Sequence, residues 1–402
     1  MKTTAIVAEY NPFHFGHAYQ LKEARRQTGA DCIVVLMSGN IVQRGEFAIL
    51  DKWQRAELAL GHGADLVLEL PLEASLQAAD YFAFYAMEVV KALGVDHLVF
   101  GTESAGLQDL LDYHDFVVNH QPLIDAKISG FIKEGFSYSK AHQLIMDQAL
   151  EGEDREFNFD PHLSNHILAI QYLKHLQGSG VQPLAIRRCQ DPDQLAQALD
   201  LPKGFVPEAI LSASQIRSLP ADAQALRQNL PLASWHKLST QPQVTWSDYF
   251  PLLRYAILSS GPGHLRTIQS VDEGFERVIY QKALESNSWQ DLVQSLVSPR
   301  WTRLAIQRKL LQILLHLTKE EWQDYLQLRQ ATSPIRILAF NQQGRSFLTG
   351  FQSERIKLFS NLSKVIEPAY RLMLRADRVY QVNLNHQLED QIIARHPIHR
   401  PF

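Results

Sequence analysis

The stretch Thr4–Gln20, TAIVAEYNPFHFGHAYQ, decides how the rest of the chain is read. Thr4–Ala8 is a short apolar, β-favouring run that predicts a buried first strand. Asn11-Pro12 breaks it. From His17 on, the spacing of Ala18, Leu21, Lys22, Ala24 and Arg25 predicts a helix that ends near Gly29. Between strand and helix lies His14-Phe15-Gly16-His17, an H-x-G-H whose two imidazoles, three residues apart, can face the same way at the mouth of the helix. Gly16 lets a ligand come close to the backbone. Free N–H groups and the positive dipole end of a helix suit phosphate, and imidazole donors added there can stabilise charge growing on a departing pyrophosphate. Two histidines at a turn are by themselves ordinary polar loop residues. Their place between a buried strand and a helix is what points to phosphate chemistry.

Outward from this turn, strands and helices alternate. Cys32–Met37 predicts a second buried strand, and the loop after it, SGNIVQRGEFAILDK, carries Asn40, Gln43, Arg44 and Glu46. Polar loops at the carboxyl ends of strands are where open α/β sheets place ligands. Asn40 and Arg44 are therefore substrate-binding candidates, the Arg44 guanidinium fork matching a carboxylate. Lys52–Gly61 reads as a helix and Asp65–Leu70 as a third strand closed by Pro71. Ser75–Leu93 reads as one long helix whose aromatics Phe82 and Tyr85 belong to the core. Leu98–Phe100 is the fourth strand, with Gly101 at its end, where a flat base can lie against bare backbone. This alternation predicts an α/β fold with a doubly wound parallel sheet and right-handed crossovers.

Further along, Leu163–Leu176 is an amphipathic helix that opens with Ser164-Asn165, and Val181–Arg188 returns as a strand with Arg187 and Arg188 at its exit. Gly135–Lys140, GFSYSK, is read as plain structure, with a loop beside the site as the less favoured alternative. Ile210–Arg217, ILSASQIR, is a second phosphate-suited segment: Ser212-Ala213-Ser214 opens a helix, with Arg217 in its first turn. From Ala221 onward the texture is helical, and the basic helix Trp301–Leu317 contains Arg303, Arg308 and Lys309 after Arg300. Pro334–Phe340 is a strand candidate within this half, and residues 360–382 read as helical.

Composition sets the bounds. The 402 residues are 46% hydrophobic and 20% charged, ordinary for a globular protein of two or three domains. No apolar run approaches a membrane span, and the amino terminus has no signal-peptide pattern, so a cytoplasmic location is expected. Two cysteines, Cys32 and Cys189, are too few for a structural zinc site. The net charge of −4 hides an asymmetry. Residues 1–200 hold 15 Lys and Arg against 27 Asp and Glu, whereas residues 201–402 hold 24 against 16. Two domains are expected, 1–220 for nucleotide binding and catalysis and 221–402 mainly helical, with a basic surface suited to a polyanion.

The chain resembles the tRNA(Met) cytidine acetate ligase family within the nucleotidyltransferase superfamily. The resemblance rests on VAEYNPFHFGHAYQL, SGNIVQRGEFAILDKWQRA, GADLVLELP, FGTES, NHILAIQYL, SASQIR, EGFERVI, SPRWTRLAIQR and IRILAFN, taken in that order over nearly the whole length. It implies the HIGH-type nucleotidyltransferase architecture and an AMP-forming ligase. ATP, accompanied by Mg2+, and acetate would give acetyl-adenylate and pyrophosphate. The acetyl group would then pass to N4 of the wobble cytidine of elongator tRNA(Met), yielding N4-acetylcytidine. ATP contacts carry over onto Val7, Ala8, Glu9, Tyr10, Asn11, Pro12, Phe13, His14, Phe15, Gly16, His17, Ala18, Tyr19 and Gln20, and onto Gly101, Asn165 and Arg188. Ser212 and Ser214 join them from the second phosphate segment, and His14, His17 and Arg217 are expected to act on the departing pyrophosphate. The family's glycine-rich R-x-G-A-G-Y-H-D run is replaced here by RRCQDPDQ. Two other readings stand beside this one: a small-metabolite adenylyltransferase on the same fold, and a nucleotide- or RNA-binding protein without catalysis.

Overall fold

The computed structural model describes residues 1–202, 206–220, 223–271, 274–331, 333–361, 368–392 and 395–400. Ala221, the first residue of EGFERVI (Glu273) and residues 362–367 of the expected last helix lie outside them.

The first half alternates as expected. Its elements are β1 (Thr3–Ala8), α1 (Phe15–Thr28), β2 (Cys32–Ser38), a small hairpin of β3 (Ile41–Val42) and β4 (Glu46–Phe47), α2 (Lys52–Gly61), β5 (Leu66–Leu70), α3 (Leu72–Ser75), α4 (Ala79–Leu93) and β6 (His97–Thr102). Three helices follow, α5 (Leu107–Asn119), α6 (Gln121–Lys133) and α7 (Tyr138–Gly152), then α8 (Ser164–Leu176), β7 (Gln182–Arg187), α9 (Pro192–Leu199) and α10 (Ala213–Ser218). Strands β1, β2, β5, β6 and β7 run parallel, with Thr3 opposite Cys32, Val34 opposite Leu66 and His97 opposite Gln182. Their order, β5-β2-β1-β6-β7, reverses direction at β1. The carboxyl ends of β1 and β6 therefore flank the crevice in which a doubly wound sheet binds ligands.

Strand pleating explains the two cores. Ala5, Val34, Leu36, Leu66, Leu68 and Leu98 share one face with α4, α5 and α8. Ile6, Ile33, Val35, Met37, Val67 and Val99 share the other with α1 and α2. Such near-continuous apolar strands fit a sheet covered on both faces. Gly29, left-handed at φ +64, closes α1 and donates its amide to the Arg25 carbonyl.

The second half is mainly helical: α11 (Gln224–Asn229), α12 (Leu232–Thr240), α13 (Phe250–Leu265), α14 (Phe275–Glu285), α15 (Trp289–Leu296), α16 (Arg303–Leu314) and α17 (Lys319–Ala331). It then rejoins the sheet. β8 (Ser333–Phe340) pairs antiparallel with β5. After α18 (Gln342–Gly350), β9 (Ile356–Phe359) pairs parallel with β8; after α19 (Arg371–Gln381), so does β10 (Ile398–His399). The doubly wound parallel sheet expected from the sequence is present as β5-β2-β1-β6-β7, and β8 extends it antiparallel at the β5 edge. Packing runs across the expected boundary at 220/221: Ile335 and Ile337 lie in the core of α4 and α8, and Ile41, Phe47 and Leu72 lie in that of α13–α17. Among the described residues no helix is long and apolar enough to cross a membrane.

Ser75–Leu93, expected as one helix, is broken. Residues 76–78 separate α3 from α4, and the carbonyls at the break are taken from afar: Gln312 Nε2 donates to Leu76 O at 3.0 Å and Gln43 Nε2 to Gln77 O at 3.2 Å.

Candidate active site

The turn between β1 and α1 is held from several directions. Asn11–Pro12 is cis and Tyr10 takes a φ of +50. Asn11 Oδ1 accepts the Ile49 amide at 2.9 Å. Arg217 Nη1 donates to the Asn11 carbonyl at 2.7 Å while its Nη2 meets Glu46 Oε2 at 3.1 Å. The guanidinium of α10 is thus the bolt that fixes the second phosphate segment to the first. In the six-residue α10, Arg217 sits in the last turn and not, as expected, the first.

The two histidines form one unit. His14 is the N-cap of α1, its backbone amide donates to His17 Nδ1 at 3.2 Å, and the rings stack with centroids 3.7 Å apart. An Nδ1 that accepts leaves the proton of the neutral ring on Nε2, so His17 offers an Nε2–H donor. Burial, with nearby Arg188 adding to it, pushes His14 down to about 3. Burial, His14 and Arg188 hold His17 well below the ordinary imidazole range. Both rings are neutral donors at physiological pH. Gly16 is required by this stack, because a Cβ there would lie 2.8 Å from His14 Cε1.

Charge gathers around them. The Glu9 carboxylate accepts the Gln43 amide at 2.6 Å; burial raises its pKa, and Gln43, Arg44 and Arg217 oppose the rise. Arg44, at the tip of the β3–β4 hairpin, is thus near enough for its charge to favour the Glu9 carboxylate. Arg188 donates its amide to the Thr102 carbonyl at 2.8 Å and acts on both histidines. Its neighbour Arg187 points away, its side chain 66% exposed and 3.9 Å from Asp109. Gly101 lies inside β6 opposite Ile186, one residue short of the strand's end. A Cβ there would meet only the Gln20 amide, at 3.7 Å, so the space above it is open to a planar ligand. Asn165 stands one residue into α8, its backbone amide held by Glu103 Oε1 at 3.1 Å.

Three expected ligand residues are placed differently. Asn40 is buried, and its amide is fully engaged: Oδ1 accepts the Lys52 amide at 2.8 Å, and Nδ2 donates to Asp377 Oδ1 at 3.0 Å and Gln391 Oε1 at 3.1 Å. These bonds tie the loop after β2 to α2, α19 and Gln391. The Ser212 hydroxyl is occupied in its own cap, bonded to the Gln215 amide and side chain. Ser214 is exposed on α10. The remaining members of Val7–Gln20 divide between core and rim: Tyr10, Phe13 and Phe15 are buried, whereas Val7, Ala8, Tyr19 and Gln20 are half-buried.

Two residues that shape the site have no motif of their own. Arg55 on α2, wholly buried, donates to the carbonyls of Glu9 (2.5 Å), Ser38 (3.1 Å), Leu50 (3.0 Å) and Gly39. It ties the ends of β1 and β2 together. His166 on α8 accepts the amides of Ser104 (3.2 Å) and Ala105 (3.3 Å) at Nε2, while Nδ1 meets the Asp160 carbonyl at 2.6 Å. It fixes the loop beyond Gly101. The one local signal for either is a polar residue on an otherwise apolar helix face.

Strand, H-x-G-H turn, helix and a guanidinium bolted to that turn define a nucleotidyltransferase of the HIGH class. The family profile described as HIGH Nucleotidyl Transferase matches residues 1–394. The chain is 35% identical to the tRNA(Met) cytidine acetate ligase of Streptococcus sanguinis, with 99% of each chain covered, and 34% identical to that of Pediococcus pentosaceus, with 95% of each covered. The crystal structure of Thermotoga maritima TmcAL bound with alpha-thio ATP superposes with a TM-score of 0.85 at 26% identity, covering all of both chains. The chain belongs to the tRNA(Met) cytidine acetate ligase family.

Proposed function

We propose that the protein activates acetate with ATP and transfers the acetyl group to N4 of the wobble cytidine of elongator tRNA(Met). In the first step an acetate oxygen attacks the α-phosphorus of ATP; the bond to the β-phosphate oxygen breaks, leaving acetyl-adenylate and pyrophosphate. In the second the cytidine N4 amine attacks the acetyl carbonyl, loses a proton, and AMP departs with the bonding electrons. No residue need become covalently attached, because the mixed anhydride is itself the activated species. The task of the protein is positioning and charge stabilisation.

The assignments follow the geometry. Nε2–H of His17, its ring partner His14 and the α1 amides meet the departing pyrophosphate. Arg217 holds that turn in place and adds positive charge. Arg188 and Asn165 border the nucleotide across the β1–β6 crevice, with the adenine over Gly101. Arg44, whose charge acts on Glu9, is the guanidinium left for the acetate carboxylate. The described residues offer no cluster of three or more His, Cys, Asp or Glu donors suited to a metal ion. The Mg2+ expected with ATP would arrive on the triphosphate, and no step here runs through it.

The observation that carries this reading is the intact, neutral histidine pair at the switch point of a chain that aligns end to end with tRNA(Met) cytidine acetate ligases. Its test is mass spectrometry of nucleosides from elongator tRNA(Met) incubated with the protein, ATP and labelled acetate. Label in N4-acetylcytidine is the expected result. Label confined to AMP esters indicates another acceptor, and no label indicates a binding protein.

A further inference from the structure

Helix α16 carries Arg308 to the β3–β4 hairpin. Arg308 Nη1 donates to the Gln43 carbonyl at 3.2 Å, and the same Gln43 gives its amide to the Glu9 carboxylate. One residue thus separates this guanidinium from the candidate active site. Gly45 permits the approach: it is left-handed at φ +70, and a Cβ there would lie 2.5 Å from the Arg308 amide nitrogen. One turn further along α16, Gln312 is fastened to the break before α4, so helix, hairpin and the start of α4 are one surface.

That surface holds a cation, Arg308, that forms no salt bridge among the described residues; its charged neighbour is Asp80, and burial holds the guanidinium down to about 10. A half-buried cation whose direct partner is a carbonyl is costly unless an anion arrives. Gln43, whose carbonyl takes Arg308, also donates from Nε2 to the Gln77 carbonyl at 3.2 Å, and the helix α4 that starts just after it carries Tyr81, 48% exposed, while Tyr138 at the start of α7 is 58% exposed. The Tyr138 phenol is pushed up by burial and by Asp80, Asp125 and Tyr81. The Ser137 amide donates to the Pro299 carbonyl at 3.2 Å, which seats the GFSYSK turn against the segment leading into α16. Exposed rings on the elements joined to a guanidinium that lacks a salt bridge suit single-stranded RNA, whose bases stack on aromatics and whose phosphates take charge-assisted hydrogen bonds. The excess of basic residues in the second half agrees in sign.

We propose that Arg308, Tyr81 and Tyr138 form the port at which the single-stranded loop of the RNA substrate docks, Arg308 binding a phosphodiester beside the acetylated nucleotide and the tyrosines stacking its neighbours. This rests on the RNA acceptor proposed above. The two stages of the reaction separate the ideas, because acetate-dependent ATP–pyrophosphate exchange needs no RNA. R308A, R308K and the double variant Y81A/Y138A are compared with the natural chain in exchange and in acetyl transfer to tRNA over a salt series. Expected is exchange within about twofold of the natural chain for all three. The KM for tRNA should rise at least about tenfold in R308A and less in R308K, and the salt slope of R308A should be shallower by about 0.7, the value of one single-strand phosphate. Y81A/Y138A should raise the KM at unchanged slope. Exchange that falls in step with transfer overturns the proposal, for Arg308 would then serve the nucleotide or the fold. So does an unchanged tRNA KM, or a tyrosine variant whose sedimentation changes while its tRNA KM does not, which marks a protein interface. If the natural chain itself fails to label tRNA, it is the reading of function that falls.

Discussion

Arg217 donates to the carbonyl oxygen of Asn11 at 2.7 Å across 206 residues of sequence. This bond makes the two phosphate-suited segments a single structure, since Asn11 begins the turn that ends in the histidine pair. The second contact of Arg217, to Glu46, extends the link to the hairpin that carries Arg44. One planar guanidinium thus sets the spacing of three loops.

A lysine cannot span both partners, because its charge is a point and its donors lack the fork. R217K is therefore expected to lose nearly as much as R217A, on the order of 100-fold in kcat/KM for ATP in pyrophosphate exchange. Steady-state exchange kinetics of the two variants check this; a lysine that restores most of the rate would reduce the role of Arg217 to charge alone.

Gly16 leaves room for the His14 ring, and a methyl group placed 2.8 Å from Cε1 forces that ring off His17. G16A is expected to lower exchange at least about tenfold with a stability change of only about 1–2 kcal/mol, the ordinary range for overpacking. Exchange rates alongside a urea titration separate the two effects.

Acid should reveal the buried histidine. His14 sits at about 3 in the folded chain against an ordinary 6.5, so between those values the unfolded chain takes up a proton that the folded one refuses. Stability must then fall as pH drops below about 6.5, by up to about 1.4 kcal/mol per pH unit from this residue, and level off above. Urea unfolding from pH 4.5 to 8 should show a shallower acid limb in H14Q than in the natural chain. The exchange rate should show no ionisation near 6.5 that H14Q removes.

Lys52 lies wholly buried between Glu69 and Asp377, with Nζ 2.6 Å from each. Tyr370 adds a bond to Glu69 at 2.7 Å. K52M leaves two buried carboxylates facing one another and is expected to cost about 3–5 kcal/mol. K52M/D377L should recover part of that loss, and urea midpoints of the two variants decide it.

The sheet and the H-x-G-H turn were legible because both depend on neighbours in sequence: apolar runs such as CIVVLM, the break at Asn11-Pro12, the stop at Gly29. What escaped depends on partners tens to hundreds of residues away. Asn40 reads as a ligand residue until Asp377 and Gln391 occupy its amide. The break between α3 and α4 has no glycine or proline to mark it, because it is made by carbonyl bonds to Gln43 and Gln312. The strand at Pro334–Phe340 was visible as an apolar run. Its antiparallel pairing with β5 was not, since nothing local encodes which edge a strand joins after 260 residues of intervening chain. Arg187 and Arg188 are indistinguishable in sequence, and strand alternation sends them to opposite sides, one toward Asp109 and one toward the histidines.

The central claim is that the histidine turn stabilises the pyrophosphate leaving ATP. It is tested most directly by acetate-dependent ATP–pyrophosphate exchange in H17A, with circular dichroism confirming the fold. The expected result is a loss of at least about 100-fold, the scale of removing one donor from a transition-state anion. Exchange near that of the natural chain would contradict the account.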